Sequence, residues 1–369
     1  MGIKGTNKGV AMKICLYAIV KNEIKEVDSW YESMKEADEI IVLDTGSTDG
    51  TPERLRELGV TVYQKEYKKP FRFDVARNDS VDLAYQTDCD IFVTTDFDER
   101  FNKGWADILR SEWDVNKHTR AAYDDFIGDN GTQGSLNWIH NREWRWQYPC
   151  HEIMVRNGNK WYTYDEELDL RGKVVLRHYQ DFTKSRAQYL PLLEIRVKEN
   201  PNDVTSWGYY LRELMYVADY DKMLSYYDNL CAKHFGGVDW AWCLVWFAVA
   251  FDNKGDRHKA QQLLFASLLI DNRFRTPYVM LADMLNASGK YAMAEGVLKQ
   301  GLKDTDANAR SVFLDNDDVW NWRYYDWLYA VCVNQGKTDE AFKWICLALH
   351  DAPNNITVRQ HYESCLEQL

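Results

Sequence analysis

Apolar and polar positions change rhythm about halfway along the chain. In the first half, short apolar runs alternate with amphipathic stretches. Residues 13–20 (KICLYAIV) predict a strand, and 24–37 (IKEVDSWYESMKEA) predict a helix, since Val27, Trp30, Tyr31 and Met34 fall on one face at helical spacing. A short buried strand follows at 39–43 (EIIVL) and runs into the loop DTGSTDGT. Thr51 and Pro52 open the next helix, proline being favoured at an early helical position. Further strands are expected at 60–63 and 90–95, with a helix over 74–86 between them. Strands alternating with helices predict an α/β domain on a mostly parallel sheet covered on both faces. Ligands bind such sheets beyond the C-terminal strand ends. Asp44 and Asp96 each follow a strand, so both are expected to face one crevice.

From Asn200 onward the pattern is helix after helix with short turns. Four segments align across the turn without gaps: ADYDKM from 218, GDRHKA from 255, GKYAMA from 289 and GKTDEA from 336. A period of ~34 residues, with a small residue at the turn and alanine five positions later, is the tetratricopeptide pattern. The third interval is longer and holds the insert DTDANARSVFLDNDD, expected as a loop or short extra helix. Trp207, Tyr210, Tyr278 and Leu281 stand where the first helix of a repeat packs bulky residues. The expected organisation is therefore an α/β domain over 12–200 and an all-α repeat domain over 201–369, with Met12 as the expected start.

Composition narrows the function. The 369 residues carry a net charge of −12, which opposes wholesale binding of a phosphate backbone, although a local basic patch keeps a nucleic-acid acceptor open. The apolar run Ile14–Val20 is too short to span a bilayer and lacks the flanks of a secretory signal. Eight cysteines are scattered with no CxxC pair, as in reduced core residues of a cytoplasmic protein. Aromatic residues make up 14% of the chain. In the repeats they read as packing; in NWIHNREWRW (137–146), Trp138, Trp144 and Trp146 lie among Arg142 and Arg145, either stacked as cation–π pairs or forming an acceptor platform.

Three segments carry the chemistry: AIVKNE (18–23) followed by LDTGSTDGT (43–51), then FDVARN (73–78), then TTDFDER (94–100). In this order and spacing they resemble the family 2 glycosyltransferases of the GT-A fold, over residues 13–190. The helical tail resembles the branch with a tetratricopeptide tail, a layout similar to the sublancin-type peptide glycosyltransferases. Expelling a nucleoside diphosphate requires neutralising its charge, and carboxylate oxygens suit Mn²⁺ or Mg²⁺. The resemblance implies Asp98 as a direct metal ligand, with Asp96 on the ribose or a metal-bound water. It implies Asp44 on the base or ribose, and Glu23 beside it, with Ala18 and Val20 on the same nucleotide-binding strand end. Arg77 is expected to reach the diphosphate, a surface salt bridge being the plain alternative. Lys68, Lys69 and Arg72 lie just upstream and add positive field there.

The acceptor side is expected in YPCHEIMV (148–155) and VVLRHYQ (174–180). An inverting transfer needs a carboxylate to take the acceptor proton; Glu152 is preferred over Asp125, with His151 orienting Glu152 or binding acceptor. His178 follows a strand where related enzymes supply a third metal ligand, and a structural role is its alternative. One departure from the family stands out. Where that family has Asp-Ala-Asp-Glu, this chain has Phe97, expected to point away from the metal and to narrow the sugar pocket.

The resemblance thus implies a metal-dependent, inverting hexosyl transfer from a UDP-sugar to a peptide or protein side chain, or to a glycan. The repeats would recruit the acceptor or form a homodimer through surfaces carrying Trp320, Trp322, Trp327 and Trp344. Competing readings are an inactive tetratricopeptide scaffold, a transferase acting on a modified nucleic-acid base, and a nucleotidyltransferase. The last would show a glycine-rich phosphate loop after the first strand, which AIVKNE is not.

Overall fold

The computed structural model describes residues 12–127, 133–156, 166–179, 189–307, 309 and 317–369. The chain divides into two compact units, Met1–Arg196 and Val197–Leu369.

In the first unit, β1 (Ile14–Val20), β2 (Glu39–Asp44), β3 (Thr61–Gln64) and β4 (Ile91–Thr94) pair in parallel, in the order β3-β2-β1-β4. The helices between them are α1 (Val27–Met34), α2 (Thr51–Glu57) and α3 (Phe73–Ala84). Alternation along β1 sends Ile14, Leu16, Ala18 and Val20 to one face and Cys15 and Tyr17 to the other. The first face packs on Val27, Trp30 and Met34 of α1, Leu55 of α2, and Trp105 and Leu109 of α4 (Trp105–Glu112). The second packs on Val81 and Ala84 of α3 and on a small ribbon. Helix α1 is shorter than the apolar spacing predicts. The Glu26 amide closes a turn on the Glu23 carbonyl before it, and the Ala37 amide closes another on the Met34 carbonyl after it.

Beyond β4 the sheet becomes mixed. It continues through β7 (Gln133–His140), antiparallel to both β4 and β6 (Arg120–Ile127), then to β11 (Val175–His178), parallel to β6, and the short β5 (Glu99–Phe101), antiparallel to β11, with β10 (Glu167–Asp169) parallel beside β6. Strands β8 (Trp144–Gln147) and β9 (Ile153–Arg156) form the separate antiparallel ribbon. Helix α5 (Tyr189–Glu199) follows. Because β1, β2 and β4 are parallel, their C-terminal ends open at one edge, and β1 sits where the strand order reverses.

The second unit is helical: α6 (Val204–Tyr216), α7 (Tyr220–Ser225), α8 (Tyr227–Cys231), α9 (Gly237–Asn253), α10 (Arg257–Ile270), α11 (Thr276–Ala287), α12 (Tyr291–Asp304), α13 (Trp322–Asn334), α14 (Thr338–Asp351) and α15 (Ile356–Leu366). Each of the four aligned segments is a turn between helices. Ala218, Gly255, Gly289 and Gly336 all adopt positive φ, between 56° and 88°. Across each turn the next amide bonds five residues back: Asp219 to Leu214, Asp256 to Phe251, Lys290 to Leu285 and Lys337 to Cys332. This is the helix-terminating Schellman arrangement, and it explains the glycine at three of the four turns. Five positions on, Met223, Ala260, Ala294 and Ala341 are fully buried. Trp207, Tyr210, Tyr278 and Leu281 are core residues as well. The unit is a tetratricopeptide-like array. Most of the long insert lies outside the described residues, and a 3₁₀ turn at Asp317–Trp320 follows it. Trp320 and Trp322 carry Arg275 and Arg323 over their rings, and Trp344 stacks on Tyr325.

Candidate active site

Two loops leave the ends of β1 and β2 and are laced together by short polar side chains. The amide of Asn22 (φ 56°) donates to Ser47 Oγ at 2.8 Å, and Asn22 Oδ1 accepts from the Thr48 amide at 2.8 Å. The Glu23 amide donates to Thr51 Oγ1 and the Ile24 amide to Asp49. The serine, threonines and aspartate of DTGSTDGT are thus used in fixing the loop. Asp44 is completely buried; its carboxylate accepts from the Gly46 and Ser47 amides and from Gln64 Nε2 at 3.2 Å. Ala18 and Val20 turn their side chains into the core, and the Val20 carbonyl accepts from Thr45.

Arg77 stands at the centre of the edge. It lies on the buried face of α3, and its side chain is 6% exposed. Nε donates to Glu152 at 2.7 Å, and Nη2 donates to both oxygens of Asp96 at 2.8 and 3.2 Å. Its guanidinium lies over the rings of Trp146 and Trp138, at 4.9 and 5.6 Å. Burial alone would favour the neutral form, but the two carboxylates outweigh it and hold the arginine charged. Nη1 is buried and has no hydrogen-bond partner among the described residues. This is no surface salt bridge.

The turn from β4 to β5 carries three carboxylates. Asp98 Oδ2 lies 3.2 Å from His178 Nε2, at the end of β11. The Asp98 carboxylate raises the pKa of His178. Glu99 is 2% exposed and accepts from the Asp96 amide at 2.8 Å. Burial, with Asp96 next to it, drives the Glu99 carboxyl well above the usual range. Asp124 and Asp125 follow strand alternation on β6: Asp124 accepts from the Gly172 amide, while Asp125 lies within the field of His178 and has a buried Oδ1 that is unpartnered among the described residues. Burial raises the pKa of Asp125.

Arg77, Asp96 and Glu152 therefore form one cluster, and Asp98, His178 and Asp125 another, with Asp96 and Asp98 on the same turn. Glu99 escaped the sequence reading; its signal was its place three residues after Asp96 in TTDFDE. Phe97 does not narrow a pocket. It is 3% exposed and stacks on Trp30 at 4.2 Å, inside the core. The tryptophans of 137–146 take other cations than those beside them. Arg77 covers Trp138 and Trp146, Arg120 covers Trp144, and Arg142 and Arg145 lie over Tyr85. Arg72 is paired with Asp74, and Lys68 and Lys69 are exposed.

Among the described residues, a grouping of three potential metal ligands occurs at Glu295, Cys332 and Glu340 in the repeats. Lys299 and Lys337 already neutralise Glu295, and burial pushes the Cys332 thiol up to about 11, so this is an ion-pair network. Among the described residues, no helix is long and apolar enough to cross a membrane.

Residues 15–165 match the model of glycosyl transferase family 2. No curated protein matches the chain. Among solved structures, the chain is similar to TTC0263, a thermophilic TPR protein of Thermus thermophilus, at 20% identity over 49% of this chain and 90% of that one, with a TM-score of 0.36. It is also similar to YrrB, described as a TPR protein with an unusual peptide-binding site, at 14% identity over 47% and 82%, with a TM-score of 0.38.

Proposed function

We propose, from the match of residues 15–165 to the glycosyl transferase family 2 model, that the chain transfers a hexose from a UDP-sugar to a peptide or protein side chain, with inversion, in the cytoplasm. The observation that carries this reading is Arg77: a buried cation held by Asp96 and Glu152 near the C-terminal strand ends where ligands bind, with one buried nitrogen unpartnered among the described residues. That nitrogen is the group we assign to the donor diphosphate. Asp44 and Glu23 stand at the adjacent strand ends, where the nucleoside would lie.

The donor set fits a divalent metal. Asp98 offers a carboxylate oxygen and His178 an imidazole nitrogen 3.2 Å apart, ligand types that suit Mn²⁺ and, with fewer nitrogens, Mg²⁺. Asp98 and His178 would hold it, with Asp96 alongside. When bound, it supplies charge neutralisation for the departing diphosphate. Asp125 is our choice of base. Its Oδ1 is unpartnered among the described residues, and burial raises its proton affinity toward that of a useful base. It would take the proton from the attacking acceptor group. Glu152 ranks ahead in sequence terms, but its carboxylate already holds Arg77, which makes it a positioning residue.

The acceptor is proposed as a peptide because tetratricopeptide arrays present extended concave surfaces suited to chains; a glycan is the next choice. A net charge of −12 disfavours a nucleic-acid acceptor. The test is calorimetric titration with UDP, GDP and CDP, each with and without Mn²⁺. Tight binding of UDP that requires Mn²⁺ is expected. Binding of none of the three would overturn the donor assignment.

A further inference from the structure

The segment YPCHE (148–152) joins β8 to β9 and ends on Glu152. Two of its side-chain-bearing residues adopt positive φ, Tyr148 at 82° and His151 at 47°. Such conformations persist only where the surroundings over-determine them. Here the surroundings are α5. Arg196, 1% exposed, donates through Nη1 to the carbonyls of Cys150 at 3.0 Å and His151 at 2.9 Å. Its guanidinium lies 3.7 Å from the centre of the Tyr148 ring. The His151 ring stacks on Tyr189, the first residue of α5, at 5.3 Å and 20°. On the other side, the Pro149 carbonyl accepts from the amide of Phe73, where α3 begins. The loop is thus pinned between the helix that carries Arg77 and the helix that carries Arg196.

We propose that Arg196 is a positioning residue: it fixes the YPCHE loop so that Glu152, and through it the Arg77 guanidinium, is set for the donor. The last link rests on the donor reading above. One guanidinium nitrogen serves both carbonyls while the flat face of the group lies on the Tyr148 ring. A lysine ammonium, a compact charge, can still donate to a carbonyl but has no flat face to lay on that ring.

The test uses the full chain with Arg196→Met, Arg196→Lys and His151→Gly. Hydrogen exchange of the Phe73 amide reports where the Pro149 carbonyl sits, and calorimetry with UDP and Mn²⁺ reports on Arg77. Arg196→Met is expected to speed Phe73 exchange at least ~10-fold and to weaken UDP binding about 10-fold, with Arg196→Lys intermediate. In a Glu152→Gln background, Arg196→Met should weaken UDP by less than about 2-fold, because the path it acts through is already cut. His151→Gly covers the case in which Arg196→Met does not fold. Glycine takes a φ of 47° without strain, so that variant folds but loses the stack on Tyr189 and should also speed Phe73 exchange. Unchanged Phe73 exchange in the folded variants, or an equal loss of UDP affinity with and without Glu152, overturns the proposal. Wild-type protein that binds no UDP overturns the donor reading instead. Arg196 is then judged by Phe73 exchange and by unfolding of Arg196→Met with Glu152→Gln, where strictly additive costs count against it.

Discussion

Glu152→Gln is the most informative substitution, because it removes one of two charges on a single buried arginine and leaves the shape unchanged. The side chains of Arg77 and Glu152 are 6% and 12% exposed, so water screens the pair little. Removing a partner from a buried ion pair costs about 3–5 kcal/mol when the remaining charge is stranded. Arg77 is not stranded here, since Asp96 still holds it at 2.8 Å. The cost should therefore fall to that of one charged hydrogen bond, about 2 kcal/mol. Arg77→Met leaves Asp96 and Glu152 facing each other without a cation, and about 3–5 kcal/mol is expected. The double substitution should cost less than the sum of the two by about 1–3 kcal/mol, because the Arg77–Glu152 contact can be lost only once. The assay is urea unfolding followed through the first unit, with the second unit treated as a separate transition. Costs that add to within about 0.5 kcal/mol would refute the coupling of Arg77 and Glu152, and with it the reading of Glu152 as a positioning residue.

Asp98→Ala and His178→Ala are each expected to abolish the Mn²⁺-dependent part of UDP binding while costing no more than about 1–2 kcal/mol in unfolding, the worth of the one charged hydrogen bond between them; full metal dependence in both would refute the ligand assignment. Asp125→Asn should lower transfer by about 10²–10⁴-fold with UDP affinity unchanged, and wild-type transfer should decline as pH falls through a value above the ordinary carboxylate range, since burial raises the Asp125 pKa. Burial pushes the His140 pKa down to about 3, so between the ordinary imidazole value and about 3 the unfolded chain binds a proton that the folded chain does not. Stability should thus drop by up to about 1.4 kcal/mol per pH unit below pH ~6.5, and His140→Gln should flatten that slope in unfolding measured at successive pH values. On α12, a Cβ added to Gly301 would run into the Tyr324 hydroxyl, which donates to the Leu298 carbonyl, and would meet Tyr278 Cγ at 2.9 Å, so Gly301→Ala should cost about 1–3 kcal/mol in unfolding of the second unit.

What was legible in the sequence was whatever is local. The parallel strands, the intervening helices and the repeat turns each follow from periodicity or from a glycine that must take a left-handed conformation. The order of the later strands was not legible, because β7 and β6 are placed by pairing partners far away in the chain. The same division runs through the site. Asp96, Asp98 and Arg77 belong to short motifs, and the structure puts Asp96 and Arg77 in contact. The rest depends on contacts that no short window contains. Arg77 meets Glu152 across 75 residues, Asp98 meets His178 across 80, and Arg196 meets Cys150 across 46. The cation–π pairs make the point most clearly. Arg142 and Arg145 sit next to the tryptophans in sequence, yet both lie over Tyr85, and the cation over Trp146 comes from α3.

Phe97 shows why the unusual residue in the acidic turn is compatible with the site. Three carboxylates within four residues repel one another, and a loose turn would relieve that repulsion by spreading them. This turn is fastened instead. Phe97 stacks on Trp30, whose indole N–H donates to Thr95 Oγ1 at 3.0 Å. Arg100 donates to the carbonyls of Phe97 and Glu99 and reaches the Glu26 carboxylate at the start of α1 at 2.6 Å. The Asp98 carbonyl accepts from the Tyr179 amide next to His178. With the aromatic ring driven into the core, Asp96 and Asp98 on either side of it reach Arg77 and His178. An alanine at position 97 would satisfy the backbone equally well but would leave Trp30 without its stacking partner. The phenylalanine therefore belongs to the pairing with Trp30 in the core.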